Sequence, residues 1–160
     1  MKKTFASVSL LLALALSLVL ASCGGAEYKN DVALSSISDT IVSAQGENIE
    51  YYEADENYLE FVLELDASNA DEVLVYTSDG LEQYGIFKTS ADKKASLKAS
   101  LEKYLAAKAA DELNLSYFPG EEGKVKNASV LEYGDYLVYL FVADEKRPEI
   151  ESAIKTLLTK

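Results

Sequence analysis

The chain has 160 residues, of which 49% are hydrophobic and 26% charged, and its formal net charge at pH 7 is −12. The apolar content is enough for a packed core, and the acidity argues against nucleic acid and anionic lipid as partners of the folded part. There is no His and only one Cys, which excludes Ser-His-Asp and Cys-His catalysis, imidazole metal sites and an internal disulfide.

Residues 1–22 have the three-part layout of a secretory signal peptide. The segment begins with Lys2 and Lys3, continues as an apolar stretch over residues 8–20 and ends with small residues before Cys23. The apolar stretch is short of the roughly 20 residues that a helix needs to cross a bilayer core. We therefore predict a cleaved signal peptide rather than a permanent transmembrane span.

Leu20, Ala21, Ser22 and Cys23 form the pattern of a bacterial lipobox on the only Cys of the chain. In this interpretation the Cys23 thiol receives a diacylglyceryl group, and cleavage occurs between Ser22 and Cys23. Two acyl chains are about what stable membrane attachment requires. We predict a lipoprotein anchored to the outer face of the cytoplasmic membrane; the alternative is a signal peptide followed by an incidental free thiol.

The remaining chain, residues 23–160, suits one domain on a short tether. We expect a mobile lipidated tether over 23–28 and a single domain over 29–160. This part carries 13 basic and 27 acidic residues, a formal charge of −14. Such a charge is typical of a solvated surface in a secreted domain and by itself identifies no partner.

The first element predicted in this domain is an amphipathic helix over residues 29–44. Asn30 or Asp31 can cap its N-terminus, and Gly46 can end it. Its apolar positions at helical spacing are Leu34, Ile37, Ile41 and Ala44. The apolar run at 57–65 suits either a short helix or a buried strand, and we favour the helix.

Two β-hairpins are predicted further along the chain. The first pairs residues 73–76 with 81–88 across a turn at 77–80. The second pairs 125–133 with 136–142 across Gly134 and Asp135, a two-residue turn with Gly first that favours type II′. Residues 137–142 are uninterruptedly apolar, as in a central strand covered on both faces.

A helix follows each hairpin. Asp92 can cap the first, over 92–113, and Asp144 the second, which has Pro148 in its first turn. The apolar stripe of the first is Leu97, Leu101, Tyr104, Leu105 and Ala109, and that of the second is Ile150, Ile154, Leu157 and Leu158. Hairpins with helices predict an α+β fold, specifically a two-layer sandwich with the helices packed on one face.

The order of these elements, with the strand at 81–88, the helix from Asp92, and the segments 117–119 and 133–136, resembles the domain-of-unknown-function family 4358. These are small lipoproteins, mostly of Gram-positive anaerobes. The closest local match is Glu82 followed by Ile86, Phe87 and Lys88. The resemblance covers about residues 31–158 and implies the same address and fold, but no catalytic or binding residue and no mechanism.

Three groups of polar side chains are candidates for chemistry. The oxygen-bearing cluster is Asp66, Ser68, Asn69, Asp71 and Glu72. It is typical of a capping turn and, as an alternative, of a weak calcium site, although it lacks the central Gly and distal Glu of an EF-hand. Glu121 and Glu122 lie in a Gly-flanked loop and are expected to be solvated. The Tyr pairs and clusters, Tyr51, Tyr52, Tyr133, Tyr136 and Tyr139, favour strand packing over a ligand face.

No motif identifies a catalytic residue, a cofactor or a metal site. We therefore expect a non-enzymatic binding or interaction module, with an unknown envelope protein or small ligand as partner besides the membrane reached through Cys23. The alternatives are a structural or antigenic surface lipoprotein and a cell-envelope hydrolase that uses paired carboxylates. A cleft with two close acids of raised pKa would favour the hydrolase.

Overall fold

The computed structural model describes residues 26–46 and 49–160. Its strands are β1 (Tyr52–Glu53), β2 (Glu72–Thr77), β3 (Gln83–Lys88), β4 (Leu131–Tyr133) and β5 (Tyr136–Phe141). Its helices are α1 (Leu34–Gln45), α2 (Ala91–Ala110), α3 (Glu112–Leu115), α4 (Gly123–Lys126) and α5 (Arg147–Leu158), with a π-helical turn at Tyr58–Val62. The strands form one antiparallel sheet in the order β1-β2-β3-β5-β4.

Strand β5 lies inside the sheet, and all six of its side chains are buried. Because successive side chains of a strand point to opposite faces, β5 contributes to two separate apolar clusters. Tyr136, Val138 and Leu140 pack with α1 and α5. Leu137, Tyr139 and Phe141 pack with α2 on the other face. The sheet is therefore the middle layer of three.

This architecture confirms the α+β class and the antiparallel hairpins, but the expectation of helices on one face is wrong. Helices α1 and α5 cover one face through Ile41 and Ile154, and α2 covers the other through Leu101. The physical reason is the continuous apolar run of β5, whose side chains need burial on both faces. The prediction that residues 137–142 are covered on both faces is confirmed.

A buried polar cluster joins α2 to the sheet. Gln83 Nε2 donates hydrogen bonds to Tyr104 Oη at 2.7 Å and to Tyr139 Oη at 2.5 Å. Burial raises the pKa of Tyr104 to about 12 and that of Tyr139 well above its ordinary value, so both hydroxyls stay protonated. The cluster satisfies three polar groups inside an apolar layer, which fixes where α2 sits on the sheet.

Several predicted helix caps are wrong. Helix α1 begins after Ala33, whose side chain makes no capping bond, rather than after Asn30 or Asp31. Ser90 precedes α2 while Asp92 lies in its first turn, and the helix ends at Ala110 rather than at residue 113. Gly46 does end α1, at φ +66°. Neither helix has a side-chain cap, and the first bonds of each are between backbone groups, from Ser36 to Ala33 at 3.0 Å and from Lys93 to Ser90 at 3.1 Å.

The second hairpin differs from the prediction on its first strand. Of residues 125–133 only Leu131–Tyr133 is a strand, because Val125 belongs to the short helix α4. The turn has Gly134 at φ +60°, as type II′ requires of its first residue. Asp144 does not cap α5, because that helix begins after Lys146. The Asp144 carboxylate instead accepts hydrogen bonds from Asn127 Nδ2 at 2.7 Å and from Arg147 at 3.3 Å.

The two ends of the described chain are paired. Tyr28 forms an antiparallel bridge with Thr159, and the amide of Lys160 donates to the Glu27 carbonyl at 2.9 Å. The Tyr28 ring also packs edge-on against Tyr133, with 5.8 Å between centroids. Residues 27 and 28, which were expected to belong to a mobile tether, are therefore held against residues 159 and 160. The predicted signal peptide, the lipobox Leu20-Ala21-Ser22-Cys23 and the lipidation site Cys23 lie outside the described residues.

The sheet packs most tightly at Gly85, which pairs with Tyr139 on one side and Val75 on the other. A Cβ at Gly85 would meet Tyr139 Cε1 at 2.3 Å and Phe87 Cε2 at 2.7 Å, and both rings are fully buried. We expect Gly85→Ala to lower the free energy of unfolding by about 2–3 kcal/mol through overpacking.

Urea denaturation measures this effect, and Gly123→Ala is the matched control. A Cβ there would meet mainly the exposed carboxylate of Asp144, which can move aside, so the change should stay within about 0.5 kcal/mol. Equal destabilisation by the two substitutions would contradict the tight packing of Tyr139 over Gly85.

Candidate functional site

A groove of about 870 Å³ runs along the outer side of β2, between Val73 and the segment 53–68. Its apolar floor contains Ala54, Leu59, Leu65 and Ala67. Six of its lining residues are acids, namely Glu53, Asp55, Glu56, Glu60, Glu64 and Asp66. We call this feature the acidic groove.

The π-helical turn forms one wall of the groove. Asp55 Oδ1 accepts a hydrogen bond from the Tyr58 amide at 2.8 Å and so starts the turn. The Leu63 amide then donates to the Tyr58 carbonyl at 3.0 Å, five residues back, which makes the turn wider than an α-helix. The interpretation of 57–65 as helix rather than strand is confirmed, in this wider form.

This wide turn separates buried from exposed apolar side chains. Leu63 and Leu65 are buried against α2. Tyr58, Phe61 and Val62 point outward, and Phe61 is 72% exposed. We call these three the apolar ridge. Exposed aromatic and aliphatic side chains next to a groove are typical of interaction sites.

Glu64 follows the turn with φ +54°, and it is the only described non-glycine residue in the left-handed region. For a residue with a Cβ this conformation costs about 1–2 kcal/mol. It lets the chain reverse so that Leu63 and Leu65 are both buried while the Glu64 side chain lines the groove. Such backbone strain is frequent at functional sites.

The charge of the groove is unbalanced. No Lys or Arg lines it, and Glu56, Glu60 and Glu64 have no hydrogen-bond or ion-pair partner for their side chains in the described part of the chain. Hydrogen bonds from the Ser68 hydroxyl and amide lower the pKa of Asp66. The groove therefore has an excess of acidic side chains: Lys103 acts on Asp66, but Glu56, Glu60 and Glu64 have no cationic partner among the described residues.

The backbone of β2 is partly open towards the groove. Strand β1 pairs only with Tyr76 and Thr77, and the Ala54 amide adds a bond to the Val75 carbonyl at 2.9 Å. In an antiparallel ladder alternate residues bond to opposite sides, so the N–H and C=O of Val73 point away from β3, as those of Val75 do. Val73 lies beyond the end of β1 and lines the groove.

The cluster proposed from the sequence as a capping turn or a calcium site is distributed over several contacts. Asp66 accepts from the Ser68 amide at 3.0 Å, which confirms the capping turn. Asp71 binds Lys93 at 2.8 Å, and Glu72 binds Lys88 at 3.1 Å. Within residues 26–46 and 49–160 no three His, Cys, Asp or Glu side chains are placed to hold a metal ion.

The Tyr residues separate into buried and exposed groups. Tyr133, Tyr136 and Tyr139 are buried, which confirms the strand-packing interpretation for that hairpin. Tyr51 donates to Gln45 Oε1 at 2.7 Å and stacks edge-on with Tyr84. The exposed Tyr58 of the apolar ridge was not singled out by the sequence.

The acids outside the groove serve as ion-pair and hydrogen-bond acceptors. Glu121 binds Lys124 at 2.6 Å, and Glu122 accepts from the Gly120 amide at 3.0 Å, so both are engaged rather than merely solvated. The carboxylates with a clear shift, at Asp66, Asp71, Glu82 and Asp92, all have a lowered pKa. Among the described residues no pair of close acids with raised pKa therefore favours the hydrolase alternative.

Sequence patterns did not single out the groove. Its six acids lie within residues 53–66, interleaved with Tyr58, Leu59 and Phe61, and this local density of charge next to aromatic residues is the signal that could have identified it. None of the described helices has the length and apolar composition of a membrane span. Comparisons with models of protein families, with curated proteins and with solved structures found no match to this chain.

The strain at Glu64 leads to a first test of the site. Glu64→Gly should raise the free energy of unfolding by about 0.5–1 kcal/mol, because Gly adopts φ +54° without a Cβ penalty. Glu60→Gly, three residues into the turn, should instead lower it by about 1 kcal/mol. Urea titrations measure the free energy of unfolding of both variants. A lower value for Glu64→Gly than for the unaltered chain would argue against backbone strain at Glu64.

The ion pair of Glu82 and Lys124 leads to a pH-dependent prediction. Both side chains are mostly buried, at 13% and 16% exposure. Burial raises the pKa of Glu82, but hydrogen bonds from Lys124 and Ser78 outweigh it and leave the pKa below its ordinary value. A lowered folded-state pKa contributes stability that is present above the unfolded pKa of about 4.3 and is lost as pH falls through the folded value.

We expect Glu82→Gln to lower the free energy of unfolding at pH 7 by about 2 kcal/mol, the typical worth of a hydrogen bond to a charged group. The difference from the unaltered chain should shrink as pH falls from 5 to 3. Glu121→Gln, which removes the more exposed partner of Lys124, should cost under about 0.5 kcal/mol. Urea titrations at pH 7, 5 and 3 measure this, and a difference that persists at pH 3 would contradict the assignment.

Proposed function

We propose that this chain is a lipid-anchored, non-enzymatic binding module of the bacterial envelope, and that the acidic groove with its apolar ridge is the binding site. The observation that carries the proposal is the groove itself. It combines an apolar floor with six acids and no basic residue in its lining, and the exposed Phe61 directly follows Glu60 of that lining. A folded domain gains nothing in stability from this arrangement, whereas a binding surface uses each part of it.

The predicted anchor supports a position close to the membrane. Three residues, 24–26, separate Cys23 from Glu27, where the described fold begins. Four residue steps span at most about 14 Å when fully extended. A lipid on Cys23 would thus keep the domain next to the outer face of the cytoplasmic membrane.

The groove is well placed for a partner in this setting. Tyr28 packs on Tyr133 and next to Gly134, at the β4 edge of the sheet, whereas the groove follows β2 near the opposite edge. Neighbouring strands are about 4.8 Å apart, so three strand spacings put roughly 14 Å between β4 and β2. The described chain therefore begins near the edge of the sheet opposite to the groove. A purely structural coat protein, the alternative, has no use for such a groove.

Site-specific photocrosslinking in the native membrane tests the proposal. A benzophenone amino acid replaces Phe61 in the full-length chain, and the same replacement at Leu113 is the control. Leu113 is also 72% exposed, but, unlike Phe61 beside Glu60, it has no groove-lining residue next to it in the chain. We expect one reproducible neighbour to be captured at position 61 and not at 113.

Two results would argue against this function. Equal capture at both positions would indicate random collisions rather than a site. No capture at position 61, with the lipidated chain present in the membrane at normal abundance, would favour the structural or antigenic alternative.

A further inference from the structure

We infer that the partner of the acidic groove is an extended, cationic polypeptide segment that pairs with the edge of β2 at Val73. This inference rests on the proposed function and specifies the chemistry of the ligand. Three observations support it: the open backbone edge of β2, the apolar floor of the groove and the excess of acidic side chains that line the groove.

The open edge supplies directional hydrogen bonds. The segment that begins with β1 makes its last backbone bond to β2 from the Ala54 amide to the Val75 carbonyl, at 2.9 Å. The chain then turns at Asp55 into the π-helical turn. The next outward-facing residue of β2 is Val73, whose N–H and C=O are directed into the groove. A segment that continues the line of β1 would bond to both groups, which is how an added strand gains affinity.

The apolar floor and the acids of the groove determine which side chains the bound segment needs. The side chains of a strand alternate between two sides, so one set would contact Leu59, Ala67 and Val73 while the other set faces outward. The outward set would meet Glu56, Glu60 and Glu64, which have no cationic partner in the described structure. A sequence that alternates apolar residues with Lys or Arg matches both sides.

The same charges disfavour other occupants. A second copy of this chain would bring its own six groove acids against the first set, and like charges at an edge discourage strand pairing. Anionic lipid and nucleic acid are repelled in the same way. A cationic segment gains electrostatic attraction and speeds its own encounter with the groove.

The test uses the lipidated full-length chain in non-ionic micelles and a capped synthetic peptide that alternates Lys and Val. One control peptide alternates Glu and Val. A second keeps Lys and Val but carries N-methyl groups on alternate amides, which removes the donors along one edge. We expect binding of the first peptide, none of the Glu peptide, and at least tenfold weaker binding of the N-methylated one.

Hydrogen exchange resolved to single amides locates the pairing. The Lys-Val peptide should slow exchange of the Val73 amide at least tenfold, while the amide of Thr77, already paired with Tyr52, should not change. Unchanged exchange at Val73 in a complex that forms would overturn strand addition.

Two triple variants that remove charge test the role of the groove acids in binding. Combining Glu56→Gln, Glu60→Gln and Glu64→Gln should weaken binding about tenfold, in line with several partly exposed ion pairs of modest strength. The control combines Asp39→Asn, Glu112→Gln and Glu145→Gln, which removes the same charge from exposed sites outside the groove. Equal affinities of the two triple variants would overturn the inferred role of the groove acids.

The outcomes separate this inference from the proposed function. Capture of a neighbour at position 61 without binding of the Lys-Val peptide would overturn the strand-pairing inference and leave the binding module intact. Absence of both capture and peptide binding would overturn both.

Discussion

The fold depends on one strand that is apolar on both faces. Every side chain of β5 is buried, so the domain needs an apolar layer on each side of the sheet. Helix α2 supplies one layer, and α1 with α5 supplies the other. The neighbouring strand β3 has Gly85 opposite Tyr139, and the Tyr139 ring occupies the space that a side chain at Gly85 would need. The position of α2 follows from that ring, because Gln83 connects Tyr139 to Tyr104.

Because the central strands of the sheet form the core, the edge of the sheet is the part that can bind a partner. Strand β3 is paired along its whole length on both sides, whereas β2 is covered for only part of its length by the two-residue β1. The acids around the remaining edge have two effects at once. They discourage pairing between copies of the domain, and they set the charge of any segment that does pair.

The core around the sheet could be predicted from the sequence, but the groove at the edge of the sheet could not. The apolar run of 137–142, the Gly134 turn and the stripe of α2 each reflect local residue order, and each is present as expected. The cap at Asp144 was wrong because its carboxylate binds Asn127, which is distant in the sequence. The caps at Asn30 and Asp92 were wrong because α1 begins after Ala33 and α2 after Ser90, neither with a side-chain capping bond. The number of layers was predicted wrongly because the order of hairpins and helices does not determine which face of the sheet each helix covers, whereas the burial of β5 on both faces does.

The groove could not be derived from local patterns for a related reason. A π-helical turn has no strong sequence signature, and the approach of Glu64 to Val73 depends on how the chain returns after that turn. The acids at 53–66 are not unusual in a chain with 27 acidic residues. Their concentration on one side of β2 appears only when Leu63 and Leu65 are buried against α2.

The pairing of the chain ends has a mechanical consequence. With the N-terminus anchored and a partner held at the groove, tension would enter the fold at Glu27 and pass first through the bridge between Tyr28 and Thr159. Few backbone hydrogen bonds would oppose the tension there, among them those from Lys29 to Leu158 and from Lys160 to Glu27. The ladder of β3 and β5 is connected through many more bonds. Pulling on the tether would therefore lengthen it by releasing the first residues while the sheet, and the groove along it, keeps its shape.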